Sequence, residues 1–593
     1  MTSSPQAADV ALASGPAHTG ADWEQLAAGV LRKSGRLAEG DADALVWEKL
    51  TRRTLDGIAI TPLGTPQLLD DLTTSGRPDR VGDWDVRAWF ADPDPTATAA
   101  EVALDLDNGV NSVWLEVGPG GVPADGVAAA LDGVLLDVAP VVLDAASDPL
   151  AAADAFAAIA AGTVLADGTN LGADPLGTLV RDGLVLDVDA VVAGAAARAT
   201  ELGCLALVVD GTAVHDLGAS DVGELGWSMA VGAAYLRALV AAGHDVTGAA
   251  ELIEFRYAAT DEQFPTIAKL RAARRLWARV LELSGVDEGS RRQRQHVVTS
   301  RPMMSKYDPW VNMLRTCVAS FSAGVGGADA VTVLPFDLHL GLADVFSRRI
   351  ARNTSALLIH EAHLAKVADP AGGAFAIEKL TDDLAVAGWA ELGAIEAAGG
   401  AAAAVADGSL NARIDGVVAE RERQIALRKR PLTGISEFPN LGETLPQRRP
   451  YAAGARSVQP WGHAFEALRD DPAGTVFLAT MGTVAAHTAR ATFAANLFAA
   501  GGIAVVNPGR NDDTAAVVAA YTGPDGGQPV VCLTGSDKLY AAWGAELVTA
   551  LREAGATHVI LAGKAPEGVV VDDTCAMGVD ALDFLHRTRE KLA

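Results

Sequence analysis

The chain reads as an α/β protein: a (β/α)8 barrel of the TIM type followed by a smaller, doubly wound domain of flavodoxin-like order. Three observations predict this. From about Trp84 to Gly400 the apolar runs SVWLEV, PVVLDA, CLALVVD, AELIEF, HVVTS and DAVTVLPF alternate with Ala-rich helical stretches. Repeated βα units over roughly three hundred residues fit a closed barrel better than two smaller open sheets, the alternative topology. From about Gly474, VFLATM, IAVVNP, VVCLTG and HVILAG alternate with helical patterns to the end, which predicts a second parallel sheet. At 593 residues the chain also exceeds what one core usually supports.

Taken in order, residues Met1 to about Asp22 are small and polar and are expected to form a disordered lead-in. WEQLAAGVLRKSG and ALVWEKLTRRTLDGIAI then carry helical spacing before a Thr/Pro/Gly-rich stretch. This predicts an arm, within 1–80, without a core of its own, which must pack against the body of the chain or a partner. The barrel is expected over 81–400. Across 401–470 a helix containing AERERQIALRKR suits a solvated connection, and Pro431, Pro439, Pro446 and Pro450 punctuate an extended linker. The doubly wound domain fills 471–593.

Composition excludes several function classes. A formal net charge of −28, with no long face of unopposed Lys and Arg, argues against a nucleic-acid partner. Apolar stretches are broken by Asp, Glu, Gly or Pro before they reach bilayer length, so no membrane helix is expected. The N-terminus lacks the basic start and apolar core of a signal peptide, which predicts a cytoplasmic protein. Cys204, Cys317, Cys532 and Cys575 show no CxxC spacing, so neither a disulfide framework nor a zinc site is expected. His360 and His363 in IHEAHL are three apart, not the four of HExxH, and lack a third ligand; no metal site is expected there. Asp369-Pro370 and Gly372-Gly373 end that helix.

One stretch carries the functional reading. Thr475 to Gly509 reads as strand, loop, helix and strand, with His487 in the loop, just beyond the carboxyl end of a strand, where open α/β sheets bind ligands. This layout resembles the cobalamin-binding domain of B12-dependent mutases, whose Asp-x-His-x-x-Gly motif supplies the lower axial ligand to cobalt. Here Ala485 holds the Asp position and Arg490 the Gly position. A ligating His is normally oriented by a carboxylate, which Ala485 lacks, and Arg490 adds a long cation where backbone should approach the corrin.

The segments IAKLRAARRLWARVLE from Ile267, RQHVVTSRPMMSKYDPWVNMLRTC from Arg294 and SRRIARNTSALLIHEAHLAKVADPAGGAFAIEKLT from Ser347 resemble consecutive blocks of methylmalonyl-CoA mutases. With the C-terminal domain, the resemblance covers most of the chain beyond the arm. It implies where catalytic groups should lie. The Gly211 to Ala219 loop is similar to the family's G-Y-H-M-Q-E-A-G-A, with Ala213 at the place of the His that contacts the thioester carbonyl and His215 at the Gln position. A methyl group donates no hydrogen bond, and His215 is expected to point elsewhere. Asp85 to Phe90 resembles T-I-R-Q-Y-A, with Trp89 in place of the stacking Tyr; Trp89 is expected to plug the barrel mouth. Thr534-Gly535-Ser536 and Ala562-Gly563 stand at the family's Ser-x-Leu and Gly-Gly positions, between which the cofactor tail passes.

The resemblance therefore implies a small, non-catalytic subunit of a heterodimeric mutase. Its assembly would interconvert (R)-methylmalonyl-CoA and succinyl-CoA by adenosylcobalamin radical chemistry in propionate metabolism. The expected partner is a homologous large catalytic subunit that carries the adenosylcobalamin and the acyl-CoA site, and the resemblance implies that the arm within 1–80 wraps around it; on this chain no catalytic or metal residue is expected, and His487 is the one candidate for cofactor contact. Two alternatives stay open: a self-sufficient cobalamin-dependent mutase for another acyl-CoA, and a partner-binding, chaperone-like protein.

Overall fold

The computed structural model describes residues 18–593; most of the lead-in lies outside the described residues. The arm opens with a helix, Gly20–Lys33, held by a capping box between Thr19 and Asp22. Contrary to expectation the arm has a small core of its own. Ala28, Leu31, Leu37 and Val46 are buried together, with Trp23 and Trp47 against them at 4.5 Å between ring centroids. Two Trp side chains, 24 positions apart, close a loop that short-range periodicity does not reveal. A two-residue antiparallel pairing of Arg52–Arg53 with Ala59–Ile60 follows, and its turn docks on the body, where Asp56 accepts from the amide of Val222 at 3.5 Å.

Eight parallel strands close the barrel: β1 (Asp85–Phe90), β2 (Ser112–Glu116), β3 (Val141–Asp144), β4 (Asn170–Ala173), β5 (Leu205–Asp210), β6 (Ile253–Ala259), β7 (Arg294–Thr299) and β8 (Ala330–Thr332). β8 pairs with both β7 and β1, which completes the ring. Asp-Pro pairs begin several of the outer helices: Asp94, Asp148 and Asp174 each cap the helix that starts at the following proline. Because all strands run the same way, their carboxyl ends share one face, and loops there meet over the axis.

The second domain is a five-stranded parallel sheet of β9 (Ala473–Thr480), β10 (Ile503–Val506), β11 (Val530–Thr534), β12 (His558–Ala562) and β13 (Asp573–Cys575), in the order β10-β9-β11-β12-β13. Separate apolar clusters cover its two faces, one around Leu478, Phe498 and Phe584, the other around Phe477, Tyr540 and Leu547. The expected α/β class, a (β/α)8 barrel followed by a flavodoxin-like sheet, is the class observed.

Between the domains the helix Ser409–Ala426 gives way to a chain without regular structure up to the helix His463–Asp470. This segment is tied to the loops at the carboxyl end of the barrel. Leu342 bridges Arg449, Tyr451 donates to the carbonyl of Leu338 at 3.1 Å, and the amide of Trp461 donates to the carbonyl of Pro302 at 2.8 Å. His360 lies in a short π-helical turn and His363 in left-handed backbone at φ 55°; no cluster of three metal-ligating side chains occurs among the described residues. No helix of the described residues is long and apolar enough to cross a membrane.

Candidate functional site

Inward-facing positions along the barrel strands alternate with core positions, and here many of the inward ones are charged or aromatic. On β1 they include Arg87 and Trp89, on β2 Trp114 and Glu116, on β6 Arg256, and on β7 His296. Arg87, Trp114, Arg256 and His296 are each no more than 2% exposed. Arg87 bonds Ser112 at 2.8 Å and Glu254 at 3.0 Å. Arg256 is the hub of the axis. Its guanidinium lies 4.2 Å from the Trp114 ring centroid, donates to His296 Nδ1 at 3.2 Å, and bonds both Asp144 and Asp210 at 3.1 Å.

The linker completes this network from above. Arg456 reaches Asp144 at 3.3 Å, and the backbone beside it packs so closely on the loop after β2 that a Cβ on Gly120 would stand 2.8 Å from the Cα of Ala455. Burial raises the Asp144 carboxyl, but Arg456, Arg256 and Arg181 outweigh it and hold it well below the usual carboxylate range. Asp144 is therefore an anion at any physiological pH, and the cluster is a set of compensated charges.

Trp89 donates from Nε1 to Glu116 at 3.1 Å and lies 6.2 Å from Trp114 and 6.3 Å from Tyr451 of the linker. The Arg301 guanidinium sits 5.9 Å from the Trp89 ring and 5.6 Å from Trp114. A hollow of about 20 Å³ lies on the outer side of β1, between Val86 and Ala88 of that strand and Arg348, Arg352 and Ser355 of the helix Val345–Ala356. A larger hollow of about 610 Å³ lies outside the ring, between the helices Gln263–Leu283 and Phe375–Ala397.

Ala213 and His215 fall on a one-turn helix, Thr212–His215, directly after β5. Ala213 is fully buried and brings no polar atom to the site. His215 Nε2 pairs with Ser300 Oγ at 2.7 Å, and its Nδ1 is 3.7 Å from Glu224. Burial, reinforced by Lys269, Arg421 and Arg301, pushes its pKa well down, so the imidazole is neutral. Ser300, His215 and Glu224 have the residue types of a nucleophile relay. All three are buried, Glu224 is engaged by Lys269 at 2.5 Å and by the amide of Ala258 at 2.7 Å, and Trp461 packs edge-on at 6.1 Å from the imidazole.

In the second domain the expected loop ends at Thr483, and His487 lies within the helix Val484–Ala500, not on the loop. The apolar spacing of VAAHTARATFAANLFAA starts the helix before the histidine. His487 is 4% exposed, and neither ring nitrogen has a hydrogen-bond partner. Burial lowers its pKa. Arg490, one turn on, folds over the strand ends: it donates to the carbonyl of Gly535 at 2.9 Å and to Asp537 at 2.5 Å, and lies 4.9 Å from the Tyr540 ring. A Cβ on Gly563 would meet the Arg490 guanidinium at 3.0 Å. The crevice between Gly535 and Gly563 thus holds an arginine side chain.

The positions of Trp89, Ala213, His215, His487 and Arg490 could be found in the sequence by motif. Arg256, His296 and Arg456 could not; the only signal is an arginine embedded in the apolar run of β6.

Comparison with known proteins agrees with this architecture. The family model described as methylmalonyl-CoA mutase matches residues 99–502. The chain is 45% identical to a methylmalonyl-CoA mutase small subunit of Streptomyces virginiae, over 97% of each chain. It is 36% identical to the small subunit of Propionibacterium freudenreichii subsp. shermanii, over 97% of this chain and 95% of that one. A methylmalonyl-CoA mutase of Cereibacter sphaeroides is 35% identical over 39% of this chain and 33% of its own. With two thirds of its length inside the family model and full-length relatives at these identities, the chain belongs to the methylmalonyl-CoA mutase family.

Proposed function

We propose that this chain is the small, non-catalytic subunit of a heterodimeric methylmalonyl-CoA mutase. The assembly interconverts (R)-methylmalonyl-CoA and succinyl-CoA, with adenosylcobalamin, acyl-CoA and the catalytic residues on a homologous large subunit. The observation that carries this reading is the filled barrel axis, in which Arg256 and Arg456 meet on Asp144 where a substrate would have to lie.

Three further features support it. Ala213 offers no donor to a thioester carbonyl, and one lost donor of that kind typically costs about a hundred- to a thousand-fold in rate. His487 has no carboxylate to orient its ring, and Arg490 occupies the crevice a cofactor tail would need, so the residues present do not fit cobalamin. The full-length relatives at 36 and 45% identity are themselves named small subunits. Its role is then to bury a partner surface and hold the large subunit in its productive form.

The test is co-expression with the large subunit, followed by sizing and cofactor analysis of each separated chain. One-to-one complex with cobalamin on the large subunit alone is the expected result. Stoichiometric cobalamin on this chain by itself, lost in His487→Ala, would sink the proposal.

A further inference from the structure

We propose that the outward face of two neighbouring barrel helices, Pro309–Val325 and Val345–Ala356, is the surface on which the large subunit docks. The inference rests on the subunit reading above and adds to it a location.

An outer helix of a barrel normally turns polar residues to water. Pro309–Val325 does the reverse. Its exposed positions are Trp310, Leu314, Cys317 and Val318, with Leu314 69% and Trp310 47% exposed. The helix's one charged residue, Arg315, is turned inward onto Ser305, Asn312 and the carbonyl of Thr433. On the next helix Val345 and Phe346 are exposed at its start and Leu357 just past its end. Phe336 joins the two helices into one surface: it stacks on Trp310 at 5.0 Å and meets Phe346 edge-on at 6.1 Å. Arg349 and Asn353 are the polar residues exposed on the second helix, and the Arg349 guanidinium lies over the Phe346 ring at 5.3 Å.

Size and composition select the occupant. Seventeen residues of helix span about 25 Å, and two helices side by side cover about 20 Å, so the face measures roughly 500 Å². That is at the upper end of what a lone soluble chain leaves exposed, and more than half of the roughly 800 Å² each partner contributes to a stable interface. A nearly charge-free centre is the anatomy of a permanent interface, where burial and not charge steering holds the chains. A second copy of this chain would bring another net charge of −28 into the assembly, a long-range repulsion that the apolar face does not offset with opposite charge. A homologous subunit related by a pseudo-two-fold axis would present its own equivalent helix pair, since such interfaces are built from the same patch on both chains.

The experiment uses the full chain co-expressed with the large subunit, as wild type and as Trp310→Glu, Leu314→Glu and the control Val185→Glu, which alters another exposed apolar residue. Each variant is checked for a wild-type circular dichroism spectrum, and the affinity of the pair is measured. Backbone hydrogen exchange of the wild-type chain, free and in complex, reads the same face without mutation. We expect Trp310→Glu and Leu314→Glu to weaken pairing about thirty-fold or more, the scale of an interface hot spot, and Val185→Glu to leave it unchanged. Residues 309–325 and 345–357 should gain protection in the complex. If the wild-type complex forms but these residues stay unprotected and both variants pair normally, the location is wrong and the subunit reading stands. Absence of any wild-type complex overturns both. A homodimer of the isolated chain that either variant breaks would make a second copy the occupant and overturn the inference.

Discussion

Arg456 and Asp144, 312 positions apart in the chain, are joined at 3.3 Å across the carboxyl end of the barrel. This pair links the linker to the ring of strands, and its neighbours Arg256 and Arg181 leave Asp144 compensated on two other sides. Arg456→Ala should therefore loosen the linker more than it destabilises the barrel. Removing one partner of a fully isolated buried pair costs 3–5 kcal/mol; with two arginines remaining, a loss of about 1–2 kcal/mol is expected. Hydrogen exchange over 450–461 should rise while that of the barrel strands is unchanged. Arg456→Lys should recover little, because a lysine lacks the planar fork. Unchanged exchange in 450–461 would show that Tyr451 and Trp461 hold the linker without the arginine.

Docking of the arm is expected to depend on pH through Asp56. Burial pushes its carboxyl up to about 6; the Ser220 hydroxyl and Val222 amide oppose the shift, while Asp221 and Glu391 add to it. Between the ordinary value of 3.8 and about 6 the folded chain keeps a proton that the unfolded chain releases, so stability falls as pH rises through this window. The full effect is about 2–3 kcal/mol, lost by pH 7. Asp56→Asn keeps the hydrogen-bonding shape without the charge, and should raise the thermal midpoint at pH 7.5 and flatten its pH dependence. Parallel curves for the two proteins would contradict this.

Gly172 in β4 has φ 70°, and a Cβ there would overlap the carbonyl oxygen of Leu143 on β3. Backbone strain and overlap act together, so Gly172→Ala should cost more than about 3 kcal/mol. The variant should lose near-UV circular dichroism at a lower denaturant concentration than wild type; an unchanged midpoint would mean that β3 and β4 can separate without cost.

The same strand explains what sequence patterns could and could not convey. Six of the eight barrel strands are apolar runs and could be read directly. β4 is four residues with a central glycine, and β13 is Asp-Thr-Cys, both below the length at which alternation is visible. β1 was legible as a motif but not as a strand, because Asp85, Arg87 and Trp89 face the interior in alternation with Val86, Ala88 and Phe90, a pattern that elsewhere marks a solvated edge. That Ala213 and Ala485 bring no polar group to their positions could be read one residue at a time. The meeting of Arg256, His296 and Arg456 on the barrel axis could not, since it depends on a linker crossing that only tertiary structure brings about.

Restoring the ligand motif should not create an enzyme. Arg490→Gly removes the side chain lying between Gly535 and Gly563, and Ala485→Asp returns a carboxylate two positions before His487, whose ring nitrogens are both without partners. The double variant is expected to take up cobalamin weakly, read as a shift in the visible spectrum of added cofactor that His487→Ala abolishes. Two obstacles to uptake persist: His487 sits inside a helix, where its direction is set by the backbone, and its burial must be relieved before a metal could reach it. Turnover meets a third and larger one. Ala213 still supplies no donor, Trp89 still packs between Glu116 and Tyr451, and Arg456 still holds Asp144. Several such losses act on one reaction coordinate, so the isolated double variant should show no conversion of methylmalonyl-CoA above background. Measurable conversion by that protein, with no large subunit present, would mean that the barrel opens in solution to admit an acyl-CoA and that its charged axis is no barrier to chemistry.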